Sequence, residues 1–490
     1  MSRERLIVMK FGGTSVGNAD RFRQCADIIR QASAQDRIIV VVSAVAGVTD
    51  LILKTIEAAR ENDGETTQTN LRKLEFIHQA LIADLFGNEH AGAVLDFVNK
   101  IFEQLHNSCH ALLALRSQIA AEAKDSLAAL GERISAWVLA NYLCQTGTRS
   151  QFVRAEDVIV TDSNFGNAAP DMEATAASCR NSLLPIVERG AIPVVTGYCG
   201  ANKNGQTTTL GRGGSDYSAT IIGAATASDE VWIWTDVDGV LTADPRICPD
   251  ATTLPEISFA EAIELAYYGA KVIHPKAAYP ALDAGFPVWI KNSFRPETQG
   301  TKITHSAVPM NSPVKAVTCV SHATLITLVT GRDVHSAEVF GRLYLRLGQE
   351  QVDLLFATQS SPEHALGLVV RKEDAARVLH LIHNVFRIEL GQGVLAPLSV
   401  QNDIAVITVL GESMRGTCGI LGRVFSAVAE RQVSVIAVAQ GASELSICFA
   451  VPTASSAEVV QAVHSQFCEG ADFALSAAAQ PNVSLVAGVR

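Results

Sequence analysis

Residues 325–370 align without a gap on residues 406–451, at a constant offset of 81. Thr327 falls on Thr408, Gly341-Arg342 on Gly422-Arg423, Gln351-Val352 on Gln432-Val433, Gln359 on Gln440 and Glu363 on Glu444. Each copy reads strand, helix, strand, strand, then a further helix ("EDAARVLHLIHNVF" and "SSAEVVQAVHSQF"). That is the βαββαβ plan of a ferredoxin-like sandwich. Two copies fall short of the three or more that a solenoid needs, so a pair of small domains is expected.

The rest of the chain reads differently. "RLIVMKF", "RIIVVVSA" (37–44), "AIPVVTGY" (191–198) and "EVWIWTDV" (230–237) are short, Val- and Ile-rich runs. Such runs suit strands buried on both faces of a mostly parallel sheet with helices on either side. Leu71, Leu74, Ile77, Leu81 and Leu85 recur at helical spacing, as do Leu95, Val98, Phe102, Leu105 and Cys109. They predict two amphipathic helices forming an antiparallel arm. Alternation of strand and helix runs to about residue 300, and the stretch carrying Pro296, Pro309 and Pro313 reads as a linker. The expected organisation is an α/β domain over 1–305, a linker and first strand over 306–322, and small domains over 323–400 and 401–490.

At 490 residues more than one core is required. The net charge of −11, with no run of Lys or Arg, argues against a nucleic-acid partner. The ten cysteines are scattered with no CxxC pair, as expected for reduced thiols. No apolar run approaches the ~20 residues that span a bilayer, and the N-terminus lacks signal-peptide character. A cytoplasmic protein is expected.

Several strand ends carry chemistry. In "MKFGGTSVG" a strand ends in Lys10 and turns through Gly12-Gly13. Glycines allow an anion close to the backbone, and the lysine adds a point charge. It is not a Walker A loop, because the lysine precedes the glycines. In "TLGRGGSDYSA" a second glycine turn holds Arg212, whose planar fork suits a carboxylate, and Ser215-Asp216 open a helix. "WTDVDGVLTADPR" places Thr235-Asp236 at a strand end, where open α/β sheets hold their ligands, and runs on to Arg246. "SAVAGVTD" contributes Ser43 and Thr49, and "LGERISAW" contributes Glu132. "YYGAKVIHPKA" reads as a helix end bearing Lys271 and closed by His274-Pro275.

In this order the segments resemble the aspartate kinases, enzymes of the amino-acid kinase fold, and the repeat resembles their tandem ACT domains. The resemblance covers essentially the whole chain, and is greatest to the kinase part of threonine-sensitive aspartokinase–homoserine dehydrogenases. It implies transfer of the γ-phosphoryl of MgATP to the β-carboxylate of L-aspartate, the first step towards lysine, threonine and methionine. By that resemblance Lys10 and Asp216 are catalytic. Ser43, Thr49, Glu132, Arg212 and Ser215 bind aspartate, with Arg212 on its α-carboxylate and Glu132 on its ammonium. Lys10, Gly12, Gly13, Thr235, Asp236, Leu241, Arg246 and Lys271 serve the nucleotide; at Leu241 many relatives carry a tyrosine. Mg²⁺ comes with ATP, without a dedicated acidic cage. Gln359 and Gln440 match positions that bind an effector amino acid, threonine first and lysine second, and a homodimer or homotetramer through the ACT domains is implied.

Two other functions suit parts of this pattern. Another kinase of the fold, for acetylglutamate or glutamate, fits "GRGGSD", Glu132 and the tandem repeat less well. A non-catalytic amino-acid sensor would have no use for Lys10, Arg212, Asp236 and Lys271 together.

Overall fold

The computed structural model describes residues 4–115, 119–270, 273–308, 312–331, 335–360 and 364–468. Lys271 and Glu363 lie outside the described residues. The chain divides into two compact units. The first comprises Met1–Val240, Pro255–Ile263 and Val272–Ser306; the second comprises Leu241–Leu254, Glu264–Lys271 and Ala307–Arg490.

The first unit contains the strands β1 (Leu6–Phe11), β2 (Arg37–Val42), β3 (Ser150–Val153), β4 (Val160–Thr161), β5 (Ile192–Thr196), β6 (Cys199–Asn202), β7 (Thr207–Thr209), β8 (Glu230–Thr235), β9 (Glu256–Ser258), β10 (Val288–Asn292) and β11 (Thr301–Thr304). Eight form one sheet in the order β3-β5-β2-β1-β8-β10-β11-β9. Every pairing in it is parallel except β10 with β11. The four apolar runs are its central strands. Ile7, Met9 and Phe11 are fully buried, each worth about 2 kcal/mol by transfer from water. β4, β6 and β7 make a second, three-stranded sheet.

The helices α1 (Ala19–Ser33), α2 (Val48–Arg60), α3 (Gly64–His90), α4 (Gly92–Leu115), α5 (Ala121–Ala128) and α6 (Leu130–Gln145) follow β1 and β2. α3 and α4 are antiparallel, since Glu75 bonds His106 while His78 packs on Phe102. The pair packs on the sheet. Leu71, Leu74, Val98 and Leu105 belong to the same buried cluster as Ile7, Val40 and Val42 of the sheet. His274-Pro275 also differs from expectation. The helix of the Lys271 segment is Phe259–Tyr267, and His274 starts the next one, Pro275–Ala284, by accepting a hydrogen bond from the Lys276 N–H. Proline just inside a helix start costs no hydrogen bond, so this dipeptide opens the helix.

The second unit holds a six-stranded antiparallel sheet: β12 (Ala316–Val329), β13 (Phe356–Ser360), β14 (Ala365–Arg371), β15 (Ser399–Leu410), β16 (Ala437–Gln440) and β17 (Ser446–Pro452), ordered β13-β14-β12-β15-β17-β16. The offset of 81 reappears in its pairing. Thr327 faces Gly367 as Thr408 faces Cys448, and Gln359 faces Leu366 as Gln440 faces Ile447. Left-handed backbone recurs too, at His322 and Asp403 and at Gln351 and Gln432. β12 exceeds one repeat. Its first residues, Ala316–Val320, pair with Val406–Leu410, and after a register shift Leu325–Thr327 pair with Ser399–Gln401. The strand that completes the second repeat therefore precedes the first in sequence, and Val314 and Val317 are buried in the second repeat's core.

Candidate active site

Lys10, next to last in β1, is almost fully buried, its Nζ 2.6 Å from Oδ1 of Asp216. In the turn after it Gly13 is glycine for want of space, since a Cβ there would lie 2.9 Å from the Ala44 carbonyl; one on Gly12 would make ordinary contact with Lys10 Nζ at 3.4 Å. The Gly12 N–H is engaged by the Trp234 carbonyl (3.0 Å), which ties the turn to the end of β8. Ser15, fully buried, bonds the Ser293 hydroxyl (2.7 Å), itself bonded to the Thr235 carbonyl.

The second glycine turn follows β7. Gly213 has φ +70°, and a Cβ there would come 2.5 Å from the His274 Cβ; one on Gly214 would come 2.6 Å from the Tyr198 ring. This crowding keeps the turn tight and delivers Ser215 and Asp216 into the first turn of the helix Gly214–Ala225. Arg212 is exposed at the tip.

Both turns, with the loop from β2 to α2, wall one cavity of ≈530 Å³. Among its lining residues are Lys10, Gly13, Ser43, Thr49, Glu132, Arg212, Ser215 and Asp216. Glu132, in the first turn of α6, is 3% exposed, and its Oε2 has no hydrogen-bond partner among the described residues. Burial pushes its carboxyl up to about 7, against the pull of hydrogen bonds from Ala44 and Thr49 and the charge of Lys10. A buried carboxylate with a free oxygen is a seat for a cation.

Thr235 ends β8, with Asp236 directly after it and Gly12 directly after β1, all outside that lining. Leu241 and Arg246 belong to the second unit, where Leu241 bridges to Thr253 and Arg246 pairs with Asp244 at 2.6 Å. Gln359 and Gln440 are exposed on the edge strands β13 and β16. Sequence reasoning missed Tyr198 and Gly166, which also line the cavity. Tyr198 follows β5 at its carboxyl end, which was the available signal. Among the described residues no group of three or more His, Cys, Asp or Glu side chains is placed to hold a metal ion, and no helix is long and apolar enough to cross a membrane.

A mostly parallel sheet with a cleft lined by basic side chains and glycine turns, followed in sequence by two matching βαββαβ repeats, defines the class. Residues 5–292 match the amino acid kinase family and residues 407–467 match an ACT domain. The lysine-sensitive aspartokinase 3 of Escherichia coli is 30% identical over 95% of this chain and 99% of its own. A bifunctional aspartokinase/homoserine dehydrogenase of Haemophilus influenzae is 30% identical over 93% of this chain, which spans 56% of that protein. E. coli aspartokinase III, solved with aspartate and ADP in its R-state, superposes with a TM-score of 0.80 at 29% identity, covering 94% of this chain and 99% of its own. The chain belongs to the amino acid kinase family and, within it, to the aspartokinases.

Proposed function

We propose that the protein is an aspartate kinase, transferring the γ-phosphoryl of MgATP to the β-carboxylate of L-aspartate to give 4-phospho-L-aspartate and ADP. The observation that carries this reading is the meeting of Lys10, Asp216, buried Glu132 and Arg212 around one cavity. A substrate with one ammonium and two carboxylates matches that set of charges. Glu132 takes the ammonium and Arg212 the α-carboxylate, with Ser43, Thr49 and Ser215 shaping the walls, so the β-carboxylate is directed to Lys10.

The nucleophile needs no general base, because a carboxylate with pKa near ~4 is ionised at neutral pH. The difficulty is an anion approaching a polyanion. Two like charges 4 Å apart repel by roughly 4 kcal/mol at an effective dielectric of 20. Lys10, drawn from Asp216 towards the incoming phosphoryl group, offsets that repulsion, and Asp216 holds the ammonium in line until then. Mg²⁺ arrives on the nucleotide phosphates and neutralises their charge. Thr235 and Asp236 serve the nucleotide, and Leu241, Arg246 and Lys271 are assigned to it by resemblance.

The paired ACT modules are read as a feedback device, with an amino-acid effector at Gln359 and Gln440. Threonine is the first choice; the lysine-sensitive relative supports lysine as the second. Association through these modules into a homodimer or homotetramer goes with that reading.

Acyl-phosphate formation from aspartate and ATP, trapped with hydroxylamine, tests the activity. Lys10→Ala is expected to lower kcat by about 100-fold or more while the fold persists. Turnover with acetylglutamate in place of aspartate, or none with aspartate, overturns the reading.

A further inference from the structure

Asp125, in α5, is 5% exposed and contributes no atom to the cavity lining. Its Oδ2 accepts two backbone N–H groups from distant parts of the chain, Gly166 at 2.8 Å and Thr209 at 2.7 Å. The first donor lines the cavity and the second leads into a lining turn. Gly166 lines the cavity in a left-handed conformation, and Thr209 ends β7 two residues before Gly211. The two walls touch, since a Cβ on Gly211 would lie 2.9 Å from Oδ1 of Asn167 and 3.2 Å from the Gly166 carbonyl. The Ala168 N–H donates to the Thr209 carbonyl (2.9 Å), and Lys276 bonds Asn167. One carboxylate oxygen thus fixes the height of both walls beside Arg212.

Resting on the aspartate kinase reading of this cavity, we propose that Asp125 is a positioning residue for the amino-acid substrate. Through the Gly166 and Thr209 N–H groups it sets where the Arg212 turn presents its guanidinium. A carboxylate suits this post because it accepts two N–H bonds on one oxygen, and charge-assisted bonds are shorter and stronger than neutral ones. Losing it leaves the buried Thr209 N–H without that partner and releases the exposed Gly166 N–H to water, so the two segments shift apart. The ends of β1 and β8 are held separately, by Gly12 on Trp234 and by Ser15 on Ser293. The nucleotide side is therefore left in place.

The test is steady-state kinetics on the full chain with aspartate and with ATP varied separately, for Asp125→Ala, Asp125→Glu and Asp125→Asn. The alanine and glutamate variants are expected to raise the aspartate KM by about tenfold or more, with the ATP KM moved less than about twofold and kcat largely kept. Asparagine keeps an oxygen acceptor in place and is expected to stay within about threefold of the parent. A residue that merely supported the fold would lower the thermal midpoint without singling out the aspartate KM. If the alanine variant does not fold, the glutamate variant decides. An aspartate KM unchanged in the glutamate variant, or aspartate and ATP KM values rising together, overturns the assignment while parent turnover with aspartate stands. A parent without aspartate-dependent turnover overturns both readings.

Discussion

Glu132 is held in conflict with itself. Its carboxyl is buried among Ala44, Thr49 and Lys10 and raised to about 7, yet an ammonium-binding role requires the ionised form. The native state then binds more protons than the unfolded chain between the ordinary glutamate value and about 7. Stability contributed at this site therefore falls as pH rises through that window, and the loss is complete above it. The penalty is of order 3 kcal/mol at most. Glutamine mimics the protonated form, so Glu132→Gln is expected to melt above the parent at pH 8 and level with it near pH 4.5. It should also raise the aspartate KM by about tenfold or more, whereas the parent's aspartate KM should fall as pH rises from 6 to 8. Melting curves across pH and a KM–pH profile check both; a parent KM flat across that range would remove Glu132 from the ammonium site.

At the scale of strands and helices, the repeat makes its own demand. Gln359 and Gln440 occupy the same register on edge strands β13 and β16, each exposed. If each serves an effector, Gln359→Ala or Gln440→Ala should weaken inhibition by threonine or lysine by about tenfold while uninhibited turnover stays at the parent level. Indifference of the parent to both amino acids would end the feedback reading. The elements legible from sequence were those whose burial writes a pattern. β1, β2, β5 and β8 are continuous apolar runs because both faces are covered, and the offset of 81 survives as pairing register. Short strands such as β7, "TTT", carry no such pattern. Of the candidate site, the glycine turns with their charges were legible because crowding at Gly13, Gly213 and Gly214 leaves no room for a Cβ. Asp125 was not, since its partners are backbone N–H groups that no side-chain pattern announces. Nor was the opening of a helix by His274, which depends on the φ preference of Pro275 rather than on apolar spacing.

For the molecule as a whole, the decisive fact is how often the chain passes between its two units. It crosses after Val240, Leu254, Ile263, Lys271 and Ser306. A free-standing catalytic domain ending at residue 305 would carry Leu241–Leu254 and Glu264–Lys271 without the unit to which they belong. Ala243 and Cys248 of the first segment are buried in one cluster with Val317, Val424, Phe449 and Val463, and the Thr242 hydroxyl bonds His464 at 2.9 Å. In the truncated chain these apolar side chains face water, and Thr242 loses its imidazole partner. Exposed apolar surface of that kind promotes association between chains. A fragment of residues 1–305 is therefore expected to aggregate or to melt well below the full chain, with little aspartate-dependent turnover. The full chain under the same conditions should be active and monodisperse. Size-exclusion chromatography, thermal melting and the hydroxylamine assay on the two proteins side by side decide the matter. A soluble fragment with full-chain turnover would mean that the two inserted segments do not depend on the second unit for their structure.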